Sequence, residues 1–305
     1  MALIRSILHL LVMVVTVVPY TLGILLVRVL GGSPAARYRV ARAWLKLCID
    51  SARWLLGIRT QITGMEHLPQ GEQQGAVLLV KHQSTYETFL MPAIMPHPLA
   101  YVFKKELLSV PFFGWSIGSL DMIHIDRGQR ARAFAKVLQQ GRRLLSKGTW
   151  VIMFPEGTRT ERGAKGDYKS GGTRLAIDAG VPVVPIAVTS ATVWPRKAFI
   201  KRPGVVHVSV GRPIPTEGRK PDELMREVEA WIEGEMRRLD PTLPPASPAD
   251  MQRLVQLALD FLGGGSSPDS GVPQPKRAIA PVQQAPDAPL LVAPAPPLGD
   301  LLTPA

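Results

Sequence analysis

The chain opens on an apolar run. From Ser6 to Val27 no side chain carries a permanent charge, a stretch long enough to cross a bilayer. Arg5 precedes it, and Arg28, Arg37, Arg39 and Arg42 follow. A cleaved signal peptide is the competing reading. The apolar run is long for one and no A-x-A site follows, so a membrane anchor is expected. Ser6, His9, Thr16 and Pro19 interrupt the apolar pattern, which leaves a full span and a re-entrant helix both open. Positive charge is denser after the run, which puts the remaining chain on the cytoplasmic side. Ser33-Pro34 then reads as an N-cap with proline at the first helical position. In the helix that follows, about 35–56, Arg39, Arg42, Lys46 and Arg53 share one face. Ala41, Leu45, Cys48, Ala52 and Leu55 share another, with Trp44 and Trp54 near the boundary. The pattern fits a helix lying on anionic lipid, or an ordinary helix packed on the domain.

From about Ile58 to Asp240 strand-like and helix-like runs alternate, the signature of an α/β domain. The strand candidates are Arg59–Thr63, Ala76–Val80, Leu99–Phe103, Trp150–Phe154, Val183–Val188 and Val205–Val210. Thr85–Met95 and Gln129–Ser146 read as helices. A last helix, opened by Pro221-Asp222-Glu223, runs to about Leu239, acidic at its start and basic at its end as the helix dipole prefers. Met251–Leu262 has the pattern of a short helix, and a Pro/Ala-rich tail too poor in core formers to fold follows. The expected organisation is 1–57 membrane anchor and interfacial helix, 58–240 catalytic domain, and 241–305 short helix and tail.

Charge narrows the partners. A formal net charge of +12 favours anionic ones, whether lipid surface, phosphorylated substrate or nucleic acid. Aromatic residues make up 6% of the chain, and neither an Arg-rich recognition helix nor a stacking motif is visible, so nucleic acid is set aside. A single cysteine, Cys48, rules out an intrachain disulfide framework and a Cys-based zinc site. No H-E-x-x-H, EF-hand or P-loop pattern occurs, so no metal or cofactor is expected.

Two His/Glu pairs share one spacing, His67 with Glu72 and His82 with Glu87. Spacing alone cannot separate them. His67 sits in a Pro/Gly loop. His82 follows the apolar run Ala76–Val80, at a strand end where open α/β sheets place their sites. Residues five apart on one helix lie about 140° out of line. The pair therefore meets only if His82 is outside the helix and Glu87 is in its first turn. A carboxylate on one ring nitrogen fixes the tautomer and leaves the other nitrogen to take a proton from an alcohol. The residues equally allow a histidine that merely caps or packs at a strand end.

Further motifs stand in order along the chain: KHQSTYE (Lys81–Glu87), KKELLSVPFFGW (Lys104–Trp115), IHIDRG (Ile123–Gly128), MFPEGTRT (Met153–Thr160) and VPVVPIAV (Val181–Val188). Together they resemble the glycerolipid acyltransferases, specifically bacterial 1-acyl-sn-glycerol-3-phosphate acyltransferases, over about residues 60–215. That family carries H-x4-D, usually preceded by Asn; this chain has Glu87 and Lys81 there. The resemblance implies a mixed sheet flanked by helices behind a membrane-associated N-terminal segment. It also implies transfer of a fatty acyl group from acyl-CoA or acyl carrier protein to the sn-2 hydroxyl of lysophosphatidic acid at the bacterial inner (cytoplasmic) membrane. His82 becomes the general base and Glu87 its orienting partner. Arg159 and Arg127 become phosphate contacts, and Lys105 or backbone N–H groups near Gly157 become oxyanion donors. Glu156 is either a partner of Arg159 or half of a structural ion pair, and Thr158 completes the substrate-binding turn. Ser84 lacks the G-x-S-x-G setting of a nucleophile. Pro111–Trp115 lines an apolar groove or joins the core. Two alternatives remain at this stage: the same chemistry on another lyso-lipid such as a lyso-ornithine lipid, and a catalytically silent protein that binds anionic membrane.

Overall fold

The computed structural model describes residues 1–71, 74–126, 128 and 130–243. Glu72, Arg127, the Met251–Leu262 stretch and the Pro-rich tail lie outside the described residues. Seven strands form one sheet in the order β1-β7-β6-β2-β5-β3-β4. They are β1 (Ile58–Thr63), β2 (Val77–Val80), β3 (Leu99–Lys104), β4 (Ile123–Ile125), β5 (Trp150–Met153), β6 (Val183–Val188) and β7 (Gly204–Val210). β7 pairs antiparallel with β6, and the other ladders are parallel. The sheet is therefore mixed, as expected. The expected strands recur with ends shifted by a residue or so; β4, three residues long, is an addition.

β2 is the central strand, and every one of its residues is buried. A strand covered on both faces reads as an unbroken apolar run rather than an alternating one. Leu78 and Val80 face a core shared with the end of the second helix and with α3 (Tyr86–Ile94). Val77 and Leu79 face the other core. That core is closed by α5 (Arg130–Leu145), α6 (Gly171–Ala179) and α7 (Pro221–Leu239). α6 was not anticipated. It comes so close that a Cβ on Gly172 would lie 2.5 Å from Leu79 Cδ2.

Two helices precede the sheet. α1 (Ala2–Val29) is long and apolar enough to cross a membrane. α2 (Pro34–Ser51) starts as read, with the Ser33 hydroxyl accepting the Ala36 N–H at 3.2 Å, and passes through a π-turn at Ala52–Leu56. Ala41, Trp44, Cys48, Ala52 and Leu56 are buried, so this helix packs on the domain, while Trp54 is 78% exposed. α1 is inverted relative to a soluble amphipathic helix. Its polar residues Ser6, His9 and Thr21 are buried, whereas Leu3, Ile4, Leu11, Val14 and Val15 are exposed. Thr21 meets Ser116 at 2.7 Å on α4 (Phe113–Gly118), and Trp44 Nε1 donates to Thr16 at 3.1 Å.

Leu79→Ala removes packing from both β2 and α6 and is expected to cost about 2–5 kcal/mol. Denaturant unfolding of the detergent-solubilised chain measures this, with the midpoint falling and the slope unchanged.

Candidate active site

The parallel pairing of β2 with β5 brings the carboxyl ends of both strands to one edge. β2 runs out at Val80, and Lys81 to Thr85 form the turn into α3. Glu87 lies in the first turn of that helix, so the His82 and Glu87 side chains converge. His82 Nδ1 donates to Glu87 Oε1 at 3.0 Å. The same oxygen accepts the backbone N–H groups of Gln83 (2.7 Å) and Ser84 (2.6 Å). The other oxygen accepts the Ser190 hydroxyl at 2.6 Å. Glu87 is fully buried, whereas 15% of the His82 side chain is exposed. The imidazole also stacks on Phe154, centroids 3.8 Å apart and planes 14° from parallel. An ionised carboxylate only accepts, so the proton is on Nδ1 and Nε2 carries the lone pair. His67 instead bonds the Val210 carbonyl through Nδ1 at 2.9 Å.

The turn after β5 supplies the opposite wall. Gly157 takes φ +66°, left-handed backbone that glycine adopts without strain, and its N–H closes on the Phe154 carbonyl at 3.0 Å. Thr158 and Arg159 are exposed beyond it. Arg159 donates to the Thr85 hydroxyl at 2.7 Å, so its guanidinium reaches the His82–Glu87 turn. Glu156 points inward instead. It accepts the His82 backbone N–H at 2.9 Å and the Lys81 ammonium at 2.7 Å. Of the two roles open for Glu156, the geometry is that of the internal ion pair.

Lys81 is 1% exposed. Its ammonium binds Glu156 and, at 2.7 Å, Glu233 on α7. Tyr168 donates to Glu233 at 2.8 Å. Burial and the surrounding carboxylates push the Tyr168 phenol well above its ordinary range, so it remains a donor. Two further pairs tie the segment 161–170 to α7 and to its C-cap, Lys165–Glu229 at 2.8 Å and Arg162–Asp240 at 2.7 Å. The guanidinium holds the Asp240 carboxyl below the usual carboxylate range.

Lys105 is exposed just past β3, at the same sheet edge as His82. Its charge, after burial and Lys136, helps hold His124 below the usual histidine range. Asp126 accepts the Gly128 N–H at 2.9 Å. Cys48 is buried, which pushes its thiol up to about 12 and removes it as a nucleophile. Among the described residues no group of His, Cys, Asp and Glu could hold a metal.

An apolar cavity lies behind the aromatic residues that back the pair. Tyr20 and Ile24 of α1, Trp44 of α2, Phe89 of α3, Tyr101 of β3 and Phe113 of α4 are among its walls. Tyr101 packs against Phe154 at 6.2 Å and hydrogen-bonds the Thr88 carbonyl, so the cavity begins one aromatic ring away from His82. The Pro111–Trp115 segment contributes Phe113; Trp115 is 49% exposed. Sequence reasoning missed Ser190, Tyr168 and Glu233. Ser190 had a usable signal, as a hydroxyl just past a buried strand, while Glu233 looks like any other acid on an amphipathic helix.

An acyltransferase family model matches residues 59–189. The chain is 42% identical over 210 residues to a 1-acyl-sn-glycerol-3-phosphate acyltransferase of Pseudomonas aeruginosa, covering 68% of this chain and 80% of that one. It is 33% identical over 181 residues to the 1-acyl-sn-glycerol-3-phosphate acyltransferase alpha of Ovis aries, covering 59% and 62%. In fold it is similar to the crystal structure of the 1-acyl-sn-glycerophosphate (LPA) acyltransferase PlsC from Thermotoga maritima. The TM-score is 0.65 at 23% identity, over 80% of this chain and 100% of that one.

Lys81→Asn leaves the buried Glu156 and the partly buried Glu233 without their shared cation, and is expected to destabilise the fold by about 3–5 kcal/mol. Adding Glu233→Gln should recover much of the loss. Denaturant unfolding of both single variants and the double variant measures the coupling.

Proposed function

This chain belongs to the acyltransferase family, alongside the 1-acyl-sn-glycerol-3-phosphate acyltransferases, and on that premise we propose that it acylates the sn-2 hydroxyl of lysophosphatidic acid from an acyl thioester, making phosphatidic acid. The observation that carries this reading is the His82–Glu87 hydrogen bond at 3.0 Å, one aromatic ring away from an apolar cavity and within reach of the Arg159 turn. His82 Nε2 removes the hydroxyl proton. The oxygen attacks the thioester carbonyl, the C–O bond forms, and the C–S bond breaks as the tetrahedral intermediate collapses. The imidazolium returns its proton to the leaving thiolate. No acyl-enzyme is required, in keeping with the inert Cys48 and the capping role of Ser84, whose hydroxyl accepts the Tyr86 N–H at 3.1 Å.

Glu87 is a positioning residue: it fixes the imidazole tautomer and stabilises the charge that develops on the ring. Arg159, with Thr158 beside it, binds the acceptor phosphate, for which a planar guanidinium is well shaped. Lys105 lies at the sheet edge where an oxyanion donor is needed. The cavity receives an acyl chain. Glu156 supports the site by fixing the His82 backbone.

We place residues 1–57 at the cytoplasmic face of the bacterial inner membrane and 58–240 as the catalytic domain against it. α1 makes polar contacts with the body at Ser6, Thr21 and Arg28, spread along its length. A helix held along the domain in this way lies in the lipid with its apolar face outward, rather than crossing alone to the far side.

His82→Ala is expected to lower acceptor-dependent thiol release by about 10²–10⁴-fold, the usual contribution of a general base. Near-normal turnover would remove His82 from the mechanism. Glu87→Gln keeps an acceptor for Gln83 and Ser84 but loses the charge, so kcat should fall far more than in Glu87→Asp. Equal losses in the two variants argue against the positioning role. Arg159→Ala should raise KM for the phosphorylated acceptor with a smaller effect on kcat, read from initial rates at varied acceptor.

A further inference from the structure

The loop between the 3₁₀ turn Ser190–Thr192 and β7 has no part in the chemistry above. Its sequence is Pro195-Arg196-Lys197-Ala198-Phe199-Ile200-Lys201-Arg202-Pro203. Phe199 and Ile200 are 47% and 45% exposed, and Arg196, Lys197 and Arg202 are exposed around them. No acidic residue occurs between Asp178 and Glu217. The loop therefore presents a two-residue apolar tip in an uninterrupted cationic collar.

The loop is held in place rather than trailing. Lys201 is 6% exposed. Its backbone N–H donates to Ser6 on α1 at 3.0 Å, and its ammonium donates to the Phe199 carbonyl at 2.8 Å. That ammonium also lies 4.9 Å from the Trp194 ring and 5.2 Å from the Phe199 ring. Trp194 in turn meets His9 of α1 edge-on at 5.4 Å. One turn to either side of Ser6, Leu3 and Leu10 are 48% and 36% exposed. The loop tip thus adjoins the outward apolar face of α1.

We propose that residues 195–203 form a second membrane-insertion element, which dips Phe199 and Ile200 into an anionic bilayer while Arg196, Lys197 and Arg202 engage lipid phosphates. The inference rests on the membrane placement of α1. Exposed apolar side chains gain by leaving water, and a basic collar adds attraction to anionic lipid. The loop also touches the chemistry. Trp194 N–H donates to the Ser190 carbonyl at 2.9 Å, and the Ser190 hydroxyl binds Glu87. β7 begins where β6 ends because the two strands are antiparallel, so the loop lies at the sheet edge that carries His82. Inserting it turns that edge toward the surface where an amphiphilic acceptor resides.

The test uses the full chain reconstituted in phosphatidylcholine vesicles with and without phosphatidylglycerol, doped with a spin-labelled lipid as quencher. The sole native cysteine is buried, so a fluorophore can be placed in turn on F199C, on V15C in the outward face of α1, and on K220C. Lys220 is exposed at the start of α7, which packs on the opposite face of the sheet. Quenching is expected at 15 and 199 and not at 220, and severalfold stronger at 199 when phosphatidylglycerol is present. Quenching at 15 with 199 behaving like 220 overturns the loop proposal and leaves the α1 placement standing. Quenching at neither 15 nor 199 sinks both. In parallel, F199S/I200S should lose activity severalfold on acceptor held in vesicles and keep it in detergent micelles, and an equal loss in both settings overturns the proposal.

Discussion

A buried carboxylate with both of its oxygens hydrogen-bonded is the constraint around which the site is built. Glu87 is removed from water, and an isolated carboxylate there would be intolerable. Three donors surround one oxygen and a hydroxyl serves the other. Two of those donors are backbone N–H groups in the turn entering α3, so the charge also sits where the helix dipole favours it. The turn can satisfy Glu87 only by wrapping around it, and wrapping around it places the His82 ring. Local folding and the orientation of the imidazole are thus one event, and the extra methylene of Glu relative to Asp is taken up within a network that engages both carboxylate oxygens.

Lys81 extends the same logic into the body of the domain. A lysine at the end of a fully buried strand needs countercharge, and a turn and a helix far apart in sequence supply it through Glu156 and Glu233. Glu156 reaches the His82 backbone as well. The β5 turn carrying Arg159 is therefore tied to the β2 turn carrying His82 by an ion pair and a hydrogen bond that share one side chain. A pair of this kind adds little net stability compared with apolar packing, but it is costly to break one partner at a time. Its evident consequence here is register, since it fixes the separation of the turns that carry His82 and Arg159.

Much of this was legible from local pattern. β2 and β6 are continuous apolar runs of strand length, and α7 carries a dipole-matched charge gradient, so all three could be read directly. The strand-turn-helix setting separated His82 from His67 where spacing could not. What escaped was short or non-local. β4 has three residues, fewer than a period needs to show itself. α6 begins Gly171-Gly172, which reads as loop until Leu79 is seen filling the space that a side chain would take. Glu233 belongs to the site only through a contact made across 152 positions of sequence, and no local rule marks one acid among several on an amphipathic helix.

The imperfections of the first helix have the same explanation. Ser6, His9, Thr16 and Thr21 weaken it as a bilayer span, and read on the sequence alone they look like defects. In three dimensions they meet Lys201, Ser51, Trp44 and Ser116 respectively. A helix surrounded by lipid would leave Ser6, His9 and Thr21 without these partners, at a cost for each unpaired polar group, while the Thr16 hydroxyl also bonds the Val12 carbonyl of its own helix. One whose polar side is docked on a folded body gives each of these side chains a partner and leaves its apolar side exposed. The polarity of α1 is therefore that of a protein core turned inside out, and it distinguishes the side of the helix packed on the protein from the apolar side left exposed.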